Sequence, residues 1–297
     1  MKIQSLSVEI PRKKRCINDC PFCVSKMRED EYYNHIEDTT SVRAAIYRME
    51  FKNRLQFARD NGCNTMILTG QGEPIQNMKF MDELFRINSE IRTPFMWIEL
   101  QTTGVMLDDS KLEYFKKMGV STIALSVADI FNDENNNKIE GTPPKGYIHL
   151  NELCKKIKSY HFNLRLSINM IRIYDYVTAE NIFDRVKDLG ADQVIFREFY
   201  LEGNGGPEDT WIAENKAMDK TIEMINDYIL KNGKQLERLP FGAMRYSLDG
   251  ISTVLDRNCM VQNGVESQGD EDPIRYLILR PNVKLYSRWN DKGSLIF

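Results

Sequence analysis

The chain has no apolar run of the roughly 20 residues that a membrane-spanning helix requires. Its opening segment, MKIQSLSVEI, lacks the long apolar core of a secretory signal and alternates like a strand. These two absences lead to a cytoplasmic expectation with no membrane partner. There is no basic excess either: 40 Lys and Arg stand against 43 Asp and Glu, for a formal charge of −3. Such a balance leaves no footprint for a nucleic-acid backbone. One local basic run, Arg12-Lys13-Lys14-Arg15, reads as a solvated loop or as a site for an anionic substrate. Internal repeats and low-complexity tracts are absent. Cysteine is scarce and uneven: of six, three fall between positions 16 and 23, and Cys63, Cys154 and Cys259 are scattered. A disulfide framework would spread its cysteines more evenly through a smaller chain, so the crowded trio points to a metal.

What is present is an ordinary globular composition, 42% hydrophobic and 28% charged over 297 residues, enough to bury a sizeable core. Short apolar runs alternate with longer amphipathic ones. Strands are expected at 3–10, 65–70, 95–104, 121–127, 162–171 and 192–199, and helices at 41–61, 77–92, 108–118, 146–160 and 178–189. Strands alternating with helices imply a parallel sheet, and right-handed crossovers curl it. The expected fold class is therefore α/β, a partial (β/α)6 TIM-like barrel spanning residues 1–200. Residues 201–297 are expected to form a small C-terminal α/β extension that closes the open barrel. It should contain a long helix at 209–232 and two hairpins, turning at Asp249-Gly250 and Pro281-Asn282, with a polar loop at 263–273.

Ligands in such folds sit at the carboxyl ends of the strands. Four polar segments fall there: RCINDCPFCV after strand one, TGQGEP after strand two, QTTG at the end of strand three, and Ser126 at the end of strand four. Three closely spaced thiolates can hold three corners of an iron–sulfur cubane and leave one iron open. A structural zinc site would need a fourth ligand, and His35, twelve residues beyond Cys23, has no familiar spacing. A thioredoxin-like reading of Cys20 and Cys23 leaves Cys16 without a role. Cys63 and Cys154 read as core residues. Cys259 reads as packing or as a hydrogen-atom donor. Arg238, Arg245, Tyr246, Arg275 and Arg288 read as surface and packing residues or as the lining of a substrate pocket.

The C-x3-C-x2-C loop after a first strand, with Phe22 before the last cysteine, resembles the radical S-adenosylmethionine (SAM) superfamily. The resemblance implies an enzyme with a 4Fe-4S cluster on Cys16, Cys20 and Cys23 and with SAM at the open iron. It implies further that Phe22 approaches the adenine and that Gly72, Glu73 and Pro74 form the turn that binds the methionine amino group. Thr102 and Thr103 at the third strand end resemble residues that face the cofactor or substrate, and Ser126 at the fourth resembles a further cofactor contact. Many relatives carry an arginine after the fourth strand for the SAM carboxylate. This chain has KIEGTPPKG there, with Lys138 or Lys145 as substitutes. LSINMI and VIFREFY resemble the fifth and sixth strands of the molybdenum-cofactor cyclase and viperin-like enzymes. That likeness carries Asn169 and Tyr200 over as cofactor contacts, with Arg165 and Ser167 on the face of Asn169. LRPNVKLYSRW resembles the hairpin of SPASM and twitch extensions, but Ser287-Arg288 stands where a cluster cysteine is expected. No auxiliary cluster is implied. The implied substrate is a small molecule, a nucleotide or a peptide, and the implied partner is an electron donor such as flavodoxin or ferredoxin.

Overall fold

The computed structural model describes residues 3–11, 15–27, 42–239, 243–256, 276–289 and 292–297. Cys259, Arg275, His35, residues 12–14 of the basic run and the 263–273 segment lie outside the described residues. Six strands, β1 (Ser5–Ile10), β2 (Thr65–Gly70), β3 (Trp97–Thr102), β4 (Thr122–Val127), β5 (Asn163–Asn169) and β6 (Gln193–Arg197), pair in sequence order and in parallel. Between and beside them run α1 (Val42–Asp60), α2 (Met78–Glu90), α3 (Asp109–Lys117), α4 (Asp133–Ile139), α5 (Leu150–Ser159) and α6 (Ala179–Asp188).

The strands form because their side chains alternate. One set, including Leu6, Val8, Met66, Leu68, Ile98, Leu100, Leu164, Leu166 and Phe196, is buried in the main core that also contains the apolar stripes of the helices. The opposite set is rich in polar residues, Ser7 and Glu9, Glu99 and Gln101, Arg165 and Ser167, Gln193 and Arg197, with Ile67, Ala124 and Ile195 among them. A closed barrel fills its interior with branched aliphatics. Here charged and polar side chains take most of those places, which suits a surface that meets water or a ligand.

The C-terminal segment supplies α7 (Pro207–Asn215), α8 (Asp219–Asn232), β7 (Lys234–Arg238), β8 (Met244–Leu248), β9 (Ile251–Asp256), β10 (Tyr276–Leu279) and β11 (Leu285–Tyr286). Both expected hairpins are present, with Asp249 and Gly250 at φ 50° and 84° in the first turn. The extension lengthens the sheet at both edges. β9 adds in parallel to β6, β10 adds in parallel to β1, and the order is β11-β10-β1-β2-β3-β4-β5-β6-β9-β8-β7.

β7 is a strand that the sequence reading did not anticipate, and three helical regions also differ from the expectation. The 209–232 helix is two helices, because the backbone N–H groups of Ala217 and Met218 are taken by Met170 O and Asp175 Oδ1, both at 2.9 Å. The helix expected at 146–160 begins only at Leu150, after a 3-10 turn at Pro144–Gly146. α4 was not expected at all. It carries two buried asparagines that stitch the β4–α5 connection. Asn136 Oδ1 accepts from Ala128 and Asp129 N–H at 2.9 and 3.1 Å, and Asn137 exchanges two bonds with the Ile148 backbone at 2.8 and 2.9 Å. Among the described residues no helix is long and apolar enough to cross a membrane.

Candidate functional site

The site is built where the strands end. After β1 the chain turns through Cys16, Cys20 and Cys23, and three later segments hold that turn in place. From the β2 side, Gln76 accepts from Ile17 N–H at 2.9 Å and Asn77 donates to Pro11 O at 2.8 Å. Asn77 also caps α2 by accepting from Phe80 N–H at 3.3 Å, so one side chain fixes both the helix start and the loop start. From the β4 side, Asn18 Nδ2 donates to Glu140 O and to Thr142 Oγ1, each at 3.0 Å, and Asp19 N–H donates to Gly141 O at 3.0 Å. From the β3 side, Thr103 Oγ1 lies 3.1 Å from Asn18 Oδ1, with its one proton shared between that oxygen and Glu73 Oε2 at 2.9 Å.

All three thiols are free and half-buried. Cys16 Sγ accepts from Glu73 N–H at 3.2 Å. At the neighbouring Gly72 a Cβ would press on the cysteine, 3.2 Å from Cys16 Cβ and 3.5 Å from its Sγ. Cys20 donates to Glu140 O at 3.1 Å and to Glu140 Oε2 at 3.3 Å. Burial raises the pKa of the Cys16 and Cys20 thiols, and the charges of neighbouring acids and thiols add to the effect. They are poor thiolates on their own and need a bound cation to lose their protons.

Two buried carboxyl groups face this turn. Glu73, after β2, accepts from Thr102 Oγ1 at 2.7 Å, Thr103 N–H at 2.9 Å, Thr103 Oγ1 at 2.9 Å and Ile75 N–H at 3.3 Å. Burial pushes its pKa up, and those four donors pull it back. Glu140, after α4, accepts from Cys20 and, at 3.4 Å, from Asn169 Nδ2, which also donates to Ser126 Oγ at 3.3 Å. Burial pushes Glu140 up to about 7, with the Glu73 charge contributing. Among the described residues neither carboxyl is paired with Lys, Arg or His. An uncompensated pair of buried acids is costly unless a cationic group completes the site.

The sequence-derived residues fall into distinct places. Cys16, Cys20, Cys23, Gly72, Glu73, Thr102, Ser126 and Asn169 come together in this network. Pro74 opens the buried 3-10 turn Pro74–Asn77 that Glu73 caps. Phe22 packs on Phe199 and Trp211, with ring centroids 4.9 and 5.4 Å apart. Tyr200 is half-buried just beyond β6. Lys138 and Lys145 are exposed, and among the described residues neither is bonded to the network. Arg165 points to the inner face of the sheet and is paired with Glu99 rather than with the cysteine turn. Thr103, read with Thr102 from the QTTG segment, joins the network, and sequence reasoning missed Asn18, Glu140 and Trp211. Glu140 lies in the very segment searched for a basic residue.

Among the described residues no three His, Cys, Asp or Glu side chains are grouped tightly enough to enclose a single metal ion. Zinc would need four such donors, each about 2.0–2.3 Å from the metal. A cubane carries its thiolates at separate corners and asks for no such grouping. The donor set of three free thiols on one turn fits the cubane.

Alkylation separates these thiols from the rest. Cys63 and Cys154 are fully buried, and burial pushes both up to about 12. Iodoacetamide on the native chain at mildly alkaline pH is expected to leave Cys63 and Cys154 unmodified. Cys16, Cys20 and Cys23, which are only half-buried, should be protected while iron is bound and become modifiable after chelation, Cys16 and Cys20 slowly because burial raises their thiols too. Peptide mass mapping reads both states, and iron-independent labelling of the trio would break the assignment.

A family model described as the Radical SAM superfamily matches residues 10–186. Among solved structures, Streptococcus suis SuiB bound to S-adenosylmethionine is similar with a TM-score of 0.57 and 13% identity, over 96% of this chain and 60% of that one. Native anSMEcpe with bound AdoMet gives a TM-score of 0.60 and 13% identity, over 98% and 76%. The coproporphyrinogen III oxidase HemN from Escherichia coli gives 0.53 and 14%, over 78% and 54%. At these identities the likeness is one of fold, and the chain spans about three fifths of the length of SuiB. No curated protein matches the chain.

Proposed function

The chain belongs to the radical SAM superfamily, and from that premise we propose that Cys16, Cys20 and Cys23 hold three corners of a 4Fe-4S cluster whose fourth iron binds SAM. When bound, these groups supply reductive cleavage of SAM to methionine and a 5′-deoxyadenosyl radical, which takes a hydrogen atom from the substrate. The protein's part is to orient the groups and exclude water. Glu73, held rigid by its four donors, receives the ammonium group of SAM, with Gly72 permitting close backbone approach. Glu140 presents a second carboxylate beside Cys20 and suits the sulfonium side of a cofactor that carries two positive charges. Asn169 and Ser126 orient Glu140 and offer polar contacts to the methionine or ribose. Phe22 and Phe199, with Tyr200 beyond, give an apolar wall for the adenine.

The observation that carries this reading is the pair of buried carboxyl groups, without cationic partners, beside three free thiols. We read residues 1–200 as the catalytic core and 201–297 as its extension. The substrate is a small molecule or nucleotide, and the electron comes from a donor such as flavodoxin or ferredoxin. A peptide substrate is the second reading. It has support from two similar structures whose bound partners are peptides, SuiB with its precursor peptide SuiA and anSMEcpe with Cp18Cys peptide.

Electron paramagnetic resonance of the anaerobically reconstituted, dithionite-reduced protein tests the proposal. A reduced cubane signal that shifts on addition of SAM is expected. A cubane signal indifferent to SAM, or no cluster after reconstitution, would overturn it.

A further inference from the structure

The inner face of the sheet encloses a cavity of about 420 Å³, and none of the thiols or carboxyl groups of the cysteine turn lines it. Its walls instead carry Arg165 from β5, Arg197 from β6 and Arg245 from β8, with Glu99, Gln101 and Asp256 beside them. Arginine stays charged in proteins and offers five donors in a fixed fork. Three such forks on one wall, from the adjacent β5 and β6 and from β8 beyond β9, demand acceptors.

The protein satisfies that demand only in part. Glu99 pairs with Arg165 and is itself held by Gln101 Nε2 at 3.2 Å. Arg245 sends one Nη outward to Glu237 at 2.7 Å. The Nε of all three arginines is buried and, among the described residues, has no hydrogen-bond partner. Burial, and then the charges of Arg197 and Arg245, work against the Arg165 cation, while Glu99 supports it. Like charges and orphaned donors in one enclosed space are the condition that an oxyanion relieves.

Position adds to this. Arg197 is the register partner of Asn169, so it stands level with the network of the cysteine turn. Arg165 lies four residues earlier along its strand than Asn169, about 13 Å deeper. We propose that the cavity is the anion-binding end of the substrate site, where the three guanidiniums grip a phosphate or carboxylate group of a small anionic substrate whose other end reaches the cysteine turn. The position of that reacting end rests on the radical SAM reading; the binding of the anion does not.

Isothermal titration of the cluster-loaded full chain with inorganic pyrophosphate, and separately with citrate, tests the proposal. Saturable one-to-one binding of at least one anion is expected. Preference for pyrophosphate assigns a phosphate group, and preference for citrate a carboxylate. Arg197→Gln and Arg245→Gln should each weaken the binding at least tenfold. Arg197→Lys keeps the charge, loses the fork and should fall between, which guards against a variant that merely fails to fold. Neither anion binding, or equal affinity in the variants, would overturn the proposal. Magnetic resonance with SAM on the same samples separates the two readings. A SAM response without anion binding sinks only the anion site. Anion binding without a SAM response leaves that site standing and sinks the radical chemistry.

Discussion

Alanine at any one of Cys16, Cys20 or Cys23 is expected to reduce SAM cleavage by on the order of a thousandfold or more, equivalent to ~4 kcal/mol of barrier. Each removes one of only three cluster ligands that the turn offers. The fold should survive. The Cys20 thiol donates to Glu140 O, but that carbonyl also accepts from Asn18 Nδ2 at 3.0 Å. Losing one of two bonds there costs about 1 kcal/mol. Cys154→Ala is the matched control, because it also removes a buried thiol but from the core of α5. Iron and sulfide per chain, together with 5′-deoxyadenosine formed, read the result. Full iron content in all three single variants, with undiminished cleavage, would refute the assignment.

Gly141→Ala should be nearly as damaging without touching any proposed ligand. Gly141 has φ 59°, in the left-handed region, and a Cβ there would stand 2.5 Å from Asp19 C, 2.7 Å from its O and 2.8 Å from its N. Those atoms are backbone of the cysteine turn and cannot rotate away. The turn must shift, breaking the bond from Asp19 N–H to Gly141 O and the paired bonds from Asn18. Gly190→Ala separates strain from collision. Gly190 has φ 72°, but its nearest neighbour would be Lys158 Cγ at 3.9 Å. The control is expected to cost about 1–2 kcal/mol, the left-handed penalty alone. Gly141→Ala should exceed it by ~2 kcal/mol and should also lose cluster occupancy. Thermal melts and iron content test both. Equal losses in the two variants, with iron retained, would show that the close approach is not what holds the turn.

What could be read in the sequence follows from periodicity. The six core strands were legible because an apolar set of side chains recurs every second residue, and the helices because theirs recurs at helical spacing. α4 was not, because DENNNKI has no apolar face. Its buried side chains are asparagines, which earn their burial through backbone bonds that no local pattern displays. β7 was missed for the opposite reason: every residue of KQLER is exposed, and only pairing with β8 makes it a strand. The break after Asn215 depends on acceptors from residues 170 and 175, which are distant in sequence. In the site, the cysteine spacing and the Gly72-Glu73-Pro74 turn were legible as local motifs. Glu140 was not, since its meaning comes from where α4 and the Asn137–Ile148 bonds deliver it. Arg165 shows the limit of strand parity. Alternation places it on the face of Asn169, but its depth along the strand puts it with Glu99.

The sheet order also has a consequence for how the molecule comes into being. β1 precedes the other described strands in the chain and lies between β2 and β10, and β10 begins at Tyr276. On the ribosome, one side of β1 therefore waits for its neighbour until residue 276 has been made. During that wait a bare strand edge is open to pairing with other chains. The cysteine turn hangs directly from this unfinished strand. A turn that hangs from a strand paired on both sides exists only once β10 has been made.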